Sequence, residues 1–124
     1  SAVYAGGRIY LFGGIDTTGN VLDAVWAYDV GADAWTSRSP MPAPRRAAAA
    51  VLYGDDIWVI GGALANGQPT GITEIYDPLG DAWHPGPSLL VPRHSLGAAV
   101  IGPWIFAVGG WTTTSVDTVE VAHQ

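Results

Sequence analysis

The chain has 124 residues, a formal net charge of −6, and arginine for all five of its basic residues. An acidic chain without a basic cluster is a poor partner for a phosphate backbone, which argues against nucleic acid. Cysteine is absent, so disulfides, thiolate metal sites and cysteine nucleophiles are excluded, and no run approaches the roughly 18 apolar residues of a membrane span.

In chain order, Ser1 to Ala5 reads as a first strand, Gly6-Gly7 as a hairpin turn, and Arg8 to Gly14 as a second strand. Ile15 to Leu22 is a loop. Asp23 to Asp29 alternates as a third strand, and Ala34 to Ser37 is a short fourth strand carrying Trp35. The proline-rich stretch from Ser39 to Pro44 fits neither strand nor helix, because proline donates no hydrogen bond. Four more strands follow at about Arg46–Tyr53, Asp56–Gly62, Ile72–Asp77 and Ala82–Pro85. The last three are Ser95–Ile101, Trp104–Gly110 and Thr118–Ala122, with no fourth strand after them.

A constant offset underlies this order. Gly13-Gly14 recurs as Gly61-Gly62 and Gly109-Gly110, 48 residues apart each time. Tyr28 and Trp35 recur as Tyr76 and Trp83, and Pro44-Arg45-Arg46 as Pro92-Arg93-His94. A fixed period in this range marks a repeat architecture. The repeats run 1–44, 45–92 and 93–124, the last one incomplete and with a loop two residues shorter.

The pattern resembles the kelch repeat: a β-run closed by Gly-Gly, then Tyr-Asp, then Trp, then Met41-Pro42-Ala43-Pro44-Arg45. The resemblance implies an all-β fold of about three four-stranded propeller blades, the last lacking its outer strand. A three-blade piece subtends about half of a six-bladed ring, so a second copy is expected to complete it as a homodimer. The alternative is that the remaining blades belong to a longer parent; the start at Ser1 fits processing or excision.

The resemblance also implies a ligand face around the central channel, for a protein or peptide. Arg45 and Arg93 stand before the innermost strands, where several blades could present guanidinium groups to carboxylates in one cavity. The competing reading has each arginine tie down its own inter-blade loop through backbone carbonyls. Trp111 follows the third double glycine and is a candidate binding anchor, or else packs on the shortened loop. Asp23 and Asp117 end the equivalent loops and would receive ligand hydroxyls or amides, or cap the turn. Trp35, Trp83, Tyr28 and Tyr76 are expected in the core, with Trp26, Trp58 and Trp104 as further packing residues.

No catalytic set emerges, and no metal or cofactor is expected, since His84, His94 and His123 lack ligand spacing. A binding module is therefore the first expectation. A purely structural half-propeller, or part of a carbohydrate-active or isomerising propeller enzyme, are the alternatives; the enzyme would need charged groups converging from several blades, which Arg45 and Arg93 could only begin.

Overall fold

Alternating apolar runs and tight turns fold here into meanders, because each strand is only four or five residues long and its neighbour in sequence is close at hand. The computed structural model describes residues 1–123, and none of these is helical. The first antiparallel sheet holds β1 (Ala2–Ala5), β2 (Arg8–Phe12), β3 (Val25–Asp29) and β4 (Ala34–Arg38), in that order. The second holds β5 (Ala49–Tyr53), β6 (Asp56–Ile60), β7 (Thr73–Asp77) and β8 (Ala82–Pro85). The third holds β9 (Gly97–Ile101), β10 (Trp104–Val108) and β11 (Val119–Ala122). These are three propeller-type blades, the third with no outer strand among the described residues. The cross-strand register repeats with the sequence: Tyr28 lies opposite Trp35, and Tyr76 opposite Trp83.

The double glycines stitch one blade to the next. Gly14 N–H donates to the Arg45 carbonyl and Gly62 N–H to the Arg93 carbonyl, both at 2.9 Å. At Gly61, φ is +65° and an added Cβ would stand 2.6 Å from the Arg93 carbonyl oxygen. At Gly62, φ is +104° and a Cβ would stand 2.7 Å from the Arg46 carbonyl oxygen. Only a residue without a side chain lets the incoming link approach this closely while holding a left-handed backbone. The same junction shortens the innermost strands relative to the sequence reading. β5 begins at Ala49 rather than Arg46, because Ala47 takes a φ of 54°; Ser95, its equivalent, takes 56°.

The core lies between blades, in two apolar layers. One joins Tyr10, Phe12, Val25 and Ala27 of the first blade to Ile57, Val59 and Tyr76 of the second. The other joins Trp58, Ile60 and Ile75 of the second blade to Ile105 and Ala107 of the third. Trp83 enters the first layer, its ring 5.7 Å from Phe12 and 4.9 Å from Tyr76. Its partner by repeat, Trp35, was expected in the core but is 55% exposed. The reason is direction: Trp83 faces the blade before it, and among the described residues no blade precedes the first. Trp26 and Trp104, also expected to pack, are 45% and 44% exposed on the outward faces of the first and third blades, whereas Trp58, between blades, is buried.

Candidate functional site

Arg45 and Arg93 are buried, at 1% and 0% exposure, and neither guanidinium opens into a cavity. Arg45 sits at the end of the proline-rich link, which carries it into the second blade beside the ends of β6 and β7. Its Nη1 donates to the carbonyls of Val59, Gly61 and Ile72 at 3.2, 2.9 and 3.0 Å, and its Nη2 to Glu74 Oε1 at 2.8 Å. Arg93 repeats this one blade on. Its Nη1 donates to the carbonyls of Gly109 and Thr118, and its Nη2 to Thr118 Oγ1 and to Glu120 Oε2 at 2.9 Å. Glu120 in turn accepts the Leu90 and Val91 backbone N–H groups. Burial pulls the Arg45 pKa below its ordinary value, opposed by the adjacent Glu74 carboxylate.

This corrects the expectation that both arginines face a shared channel. Carbonyls converge at the double glycine, and a carbonyl oxygen can accept a second hydrogen bond beside its backbone one, as Ile72 accepts from Gly61 N–H and Thr118 from Gly109 N–H. A planar donor fork satisfies several of them at once, and a carboxylate on β7 or β11 compensates its charge. The reading in which each arginine fastens its own inter-blade loop is the one the geometry supports. The glutamates were the missed residues. Their signal lay in the sequence: Glu74 follows Arg45 by 29 residues and Glu120 follows Arg93 by 27, a difference equal to the shortening of the third loop.

The remaining candidates lie on loops at the end of the blades where the double glycines are. Trp111 pairs through its backbone with His94 and with Ser115, which leaves its ring projecting at 51% exposure. Asp23 and Asp117 are exposed, and neither carboxylate accepts a hydrogen bond among the described residues, so the turn-capping alternative does not describe them. Capping in these loops is done elsewhere, by Asp16, which accepts the Thr18 and Asn20 N–H groups.

A second polar arrangement went unnoticed in the sequence and joins the first two blades at their outer rim. Arg38 Nε donates to the Tyr76 hydroxyl at 2.9 Å, and that hydroxyl donates to Asp81 Oδ1 at 2.7 Å. Trp83 Nε1 donates to the Ser39 carbonyl at 3.0 Å. Burial, then the bond to Asp81, pushes the Tyr76 hydroxyl up to about 12. Among the described residues no group of three or more His, Asp or Glu converges as metal ligands would.

One further space is open. A cavity of about 430 Å³ lies between the second and third blades, lined by Trp58, Ile60, Pro87, Leu89, Ile105 and Ala122 among others. The indole N–H of Trp58, buried in its wall, has no acceptor among the described residues.

No curated protein matches the chain in comparison. The Kelch motif model matches residues 1–42 and 44–90, which takes in the first two blades. Together with three meandering antiparallel sheets in 48-residue register, that match shows that the chain belongs to the kelch-repeat family.

Proposed function

We propose that the chain is a protein- or peptide-binding module that recognises its ligand with the loop end of the blades. Family membership supports the general role, since kelch repeats commonly mediate protein interactions. The observation that carries the finer reading is Trp111, a large ring held half in solvent by backbone pairing on both sides. A rigid aromatic at a loop tip offers much contact area at little entropic cost on binding. Asp23 and Asp117, exposed at the ends of the equivalent loops, favour a ligand with donor groups: hydroxyls, amides or basic side chains.

Selecting peptides on the immobilised chain and then measuring them against variants tests this. Trp111→Ala is expected to weaken the selected peptides by about thirtyfold, a typical anchor-residue loss. Asp55→Ala, at a hairpin tip on the opposite end of the second blade, is expected to leave them unchanged. Peptides whose affinity ignores Trp111 and Asp117 would overturn the assignment.

A second reading concerns assembly, and one specific observation favours it. The first blade exposes Tyr4, Trp26 and Trp35 on one face, and the third exposes Ile101, Val119 and Val121 on the opposite one. By repeat, these are the two different halves of an inter-blade contact. The first corresponds to the face of the second blade that carries Trp83, and the third to the face that receives it. Trp26 stands where Glu74 and Glu120 stand, so the first face can be covered without an incoming arginine. Two copies related by a two-fold axis would bury both faces in both chains and close a six-bladed ring.

A further inference from the structure

The two inter-blade junctions differ at the hairpin end, opposite the double glycines. At the second junction, Tyr53 ends β5 and leans onto the third blade. Its ring packs edge-on to Trp58 at 5.6 Å, and its hydroxyl donates to the Pro103 carbonyl at 2.6 Å. At the first junction, the residue 48 positions earlier is Ala5. A hollow of about 310 Å³ opens there, lined by Ala5, Arg8, Tyr10, Leu52, Asp55 and Leu79 among others. Four of these are repeat counterparts of residues around Tyr53: Tyr10 stands for Trp58, Arg8 for Asp56, Leu52 for Val100 and Asp55 for Pro103. The hollow is thus the place of a phenol ring that this junction does not supply. Both blades that bound it have all four strands.

We propose that this hollow binds a small phenolic acid, a para-hydroxyphenyl group carrying a carboxylate. Three features specify the ligand. The apolar sides, Leu52, Pro78 and Leu79, take the ring. The Asp55 main-chain carbonyl, in the place of the Pro103 carbonyl, takes the ring hydroxyl. Arg8 takes the carboxylate. It lies directly opposite Ala5 in the β1–β2 pair, so both side chains leave the sheet on one face. Tyr53 and Asp56 are paired in the same way one blade on, and Tyr53 sends its ring out from that point. The end of a bound ring away from its hydroxyl therefore falls next to the Arg8 guanidinium.

The chemistry of the walls separates this site from a gap in packing. A cation stands where the internal ring is missing, and an acid, Asp56, where the ring is present. Arg8 is loosely held. Its Nε stands 3.8 Å from Asp29 Oδ2 with both side chains well exposed, a contact worth little by itself. A guanidinium so placed can meet a ligand carboxylate as a bidentate fork. Tyr10 lines the hollow while only 2% exposed, and its hydroxyl has no hydrogen-bond partner among the described residues. A ligand oxygen in the hollow would supply one, and an unmade hydrogen bond at a buried group is costly. The site lies at the opposite end of the blades from Trp111, so it rests neither on the loop-face reading nor on ring closure.

The test uses the whole chain and para-hydroxyphenylacetate, followed by calorimetry and methyl NMR. The compound is expected to bind and to shift the Ala5 and Leu52 methyl signals, while those of Ile105, at the second junction, stay in place. Phenylacetate, which lacks the hydroxyl, and para-hydroxyphenylethanol, which lacks the carboxylate, are each expected to bind about tenfold more weakly. Arg8→Gln is expected to weaken para-hydroxyphenylacetate about tenfold and to leave para-hydroxyphenylethanol as it is, a split that a structural role for Arg8 would not produce. Ala5→Tyr, which supplies the ring from within as Tyr53 does, is expected to abolish binding while keeping the thermal transition. N-acetyltyrosine separates two sources of the same chemistry: tighter binding than para-hydroxyphenylacetate identifies a peptide C-terminus as the carrier, and weaker binding a free acid. No binding of either compound, binding that ignores Arg8, or shifts at Ile105 in place of Ala5 and Leu52 would overturn the proposal.

Discussion

Arg45 shows how one side chain can read as a ligand group and act as a fastener. Its guanidinium meets three carbonyls at the mouth of a blade and a single carboxylate, all out of water. Removing either member of a buried ion pair leaves the other uncompensated, which costs about 3–5 kcal/mol. Arg45→Met is expected to lose stability in that range, because it leaves Glu74 uncompensated and removes the hydrogen bonds to the carbonyls of Val59, Gly61 and Ile72. Glu74→Gln is expected to lose less, since an amide can still accept from Arg45. A double-mutant cycle in urea measures the coupling; a value near zero would mean that the two side chains stabilise the blade independently. The sequence placed both arginines at equivalent positions yet left their direction open, because direction depends on where carbonyls and a carboxylate converge. That is a property of the folded junction. The glutamate spacing was the one readable clue, and it becomes a clue only when the arginine is taken as a donor to its own blade.

At the scale of the strand, the repeat made the blades legible and left their surroundings unread. The eleven strands among the described residues follow from alternation, turn residues and the constant offset, with ends moved by a few residues where Ala47 and Ser95 leave the extended region. What the offset cannot convey is whether a repeated residue has a neighbour. Trp83 and Trp35 are identical by sequence pattern, and one packs between sheets while the other lies 55% exposed. Their substitutions are therefore expected to differ. Trp83→Ala removes packing on Phe12 and Tyr76 and the bond to Ser39, and is expected to cost about 3 kcal/mol. Trp35→Ala is expected to cost under about 1 kcal/mol in a monomer, because its ring contacts mainly Tyr28 of its own blade. Chemical denaturation of both variants at low concentration checks this. Equal losses would mean that Trp35 is covered in solution, which is itself evidence of a partner.

Across the described residues, apolar surface is divided between buried inter-blade layers and two bare outward faces. The two inter-blade layers bury the core, and each bare outward face is the repeat counterpart of one side of such a layer. Contiguous exposed apolar patches mark interaction surfaces. Burial at about 25 cal/mol per Å² would make the contact worth several kcal/mol after association costs. The two faces are opposite in kind, Trp-bearing and Trp-receiving, so one face cannot pair with itself. In the proposed assembly, contacts run from the third blade of one copy to the first blade of the next. Such head-to-tail contacts form an open chain of copies unless the rotation closes, and three blades per copy in a six-bladed ring close after two. The expected species is thus a dimer at twice 12.9 kDa by light scattering, with no ladder of higher oligomers. Its thermal midpoint should rise with protein concentration, since folding and association are linked. Trp35→Glu, which puts a charge on the outer strand of the first blade's bare face, is expected to return the chain to monomer without unfolding it. A monodisperse wild-type monomer with both faces in water would overturn the ring, and a concentration-dependent series of trimers and tetramers would show that the contact forms but the rotation does not close.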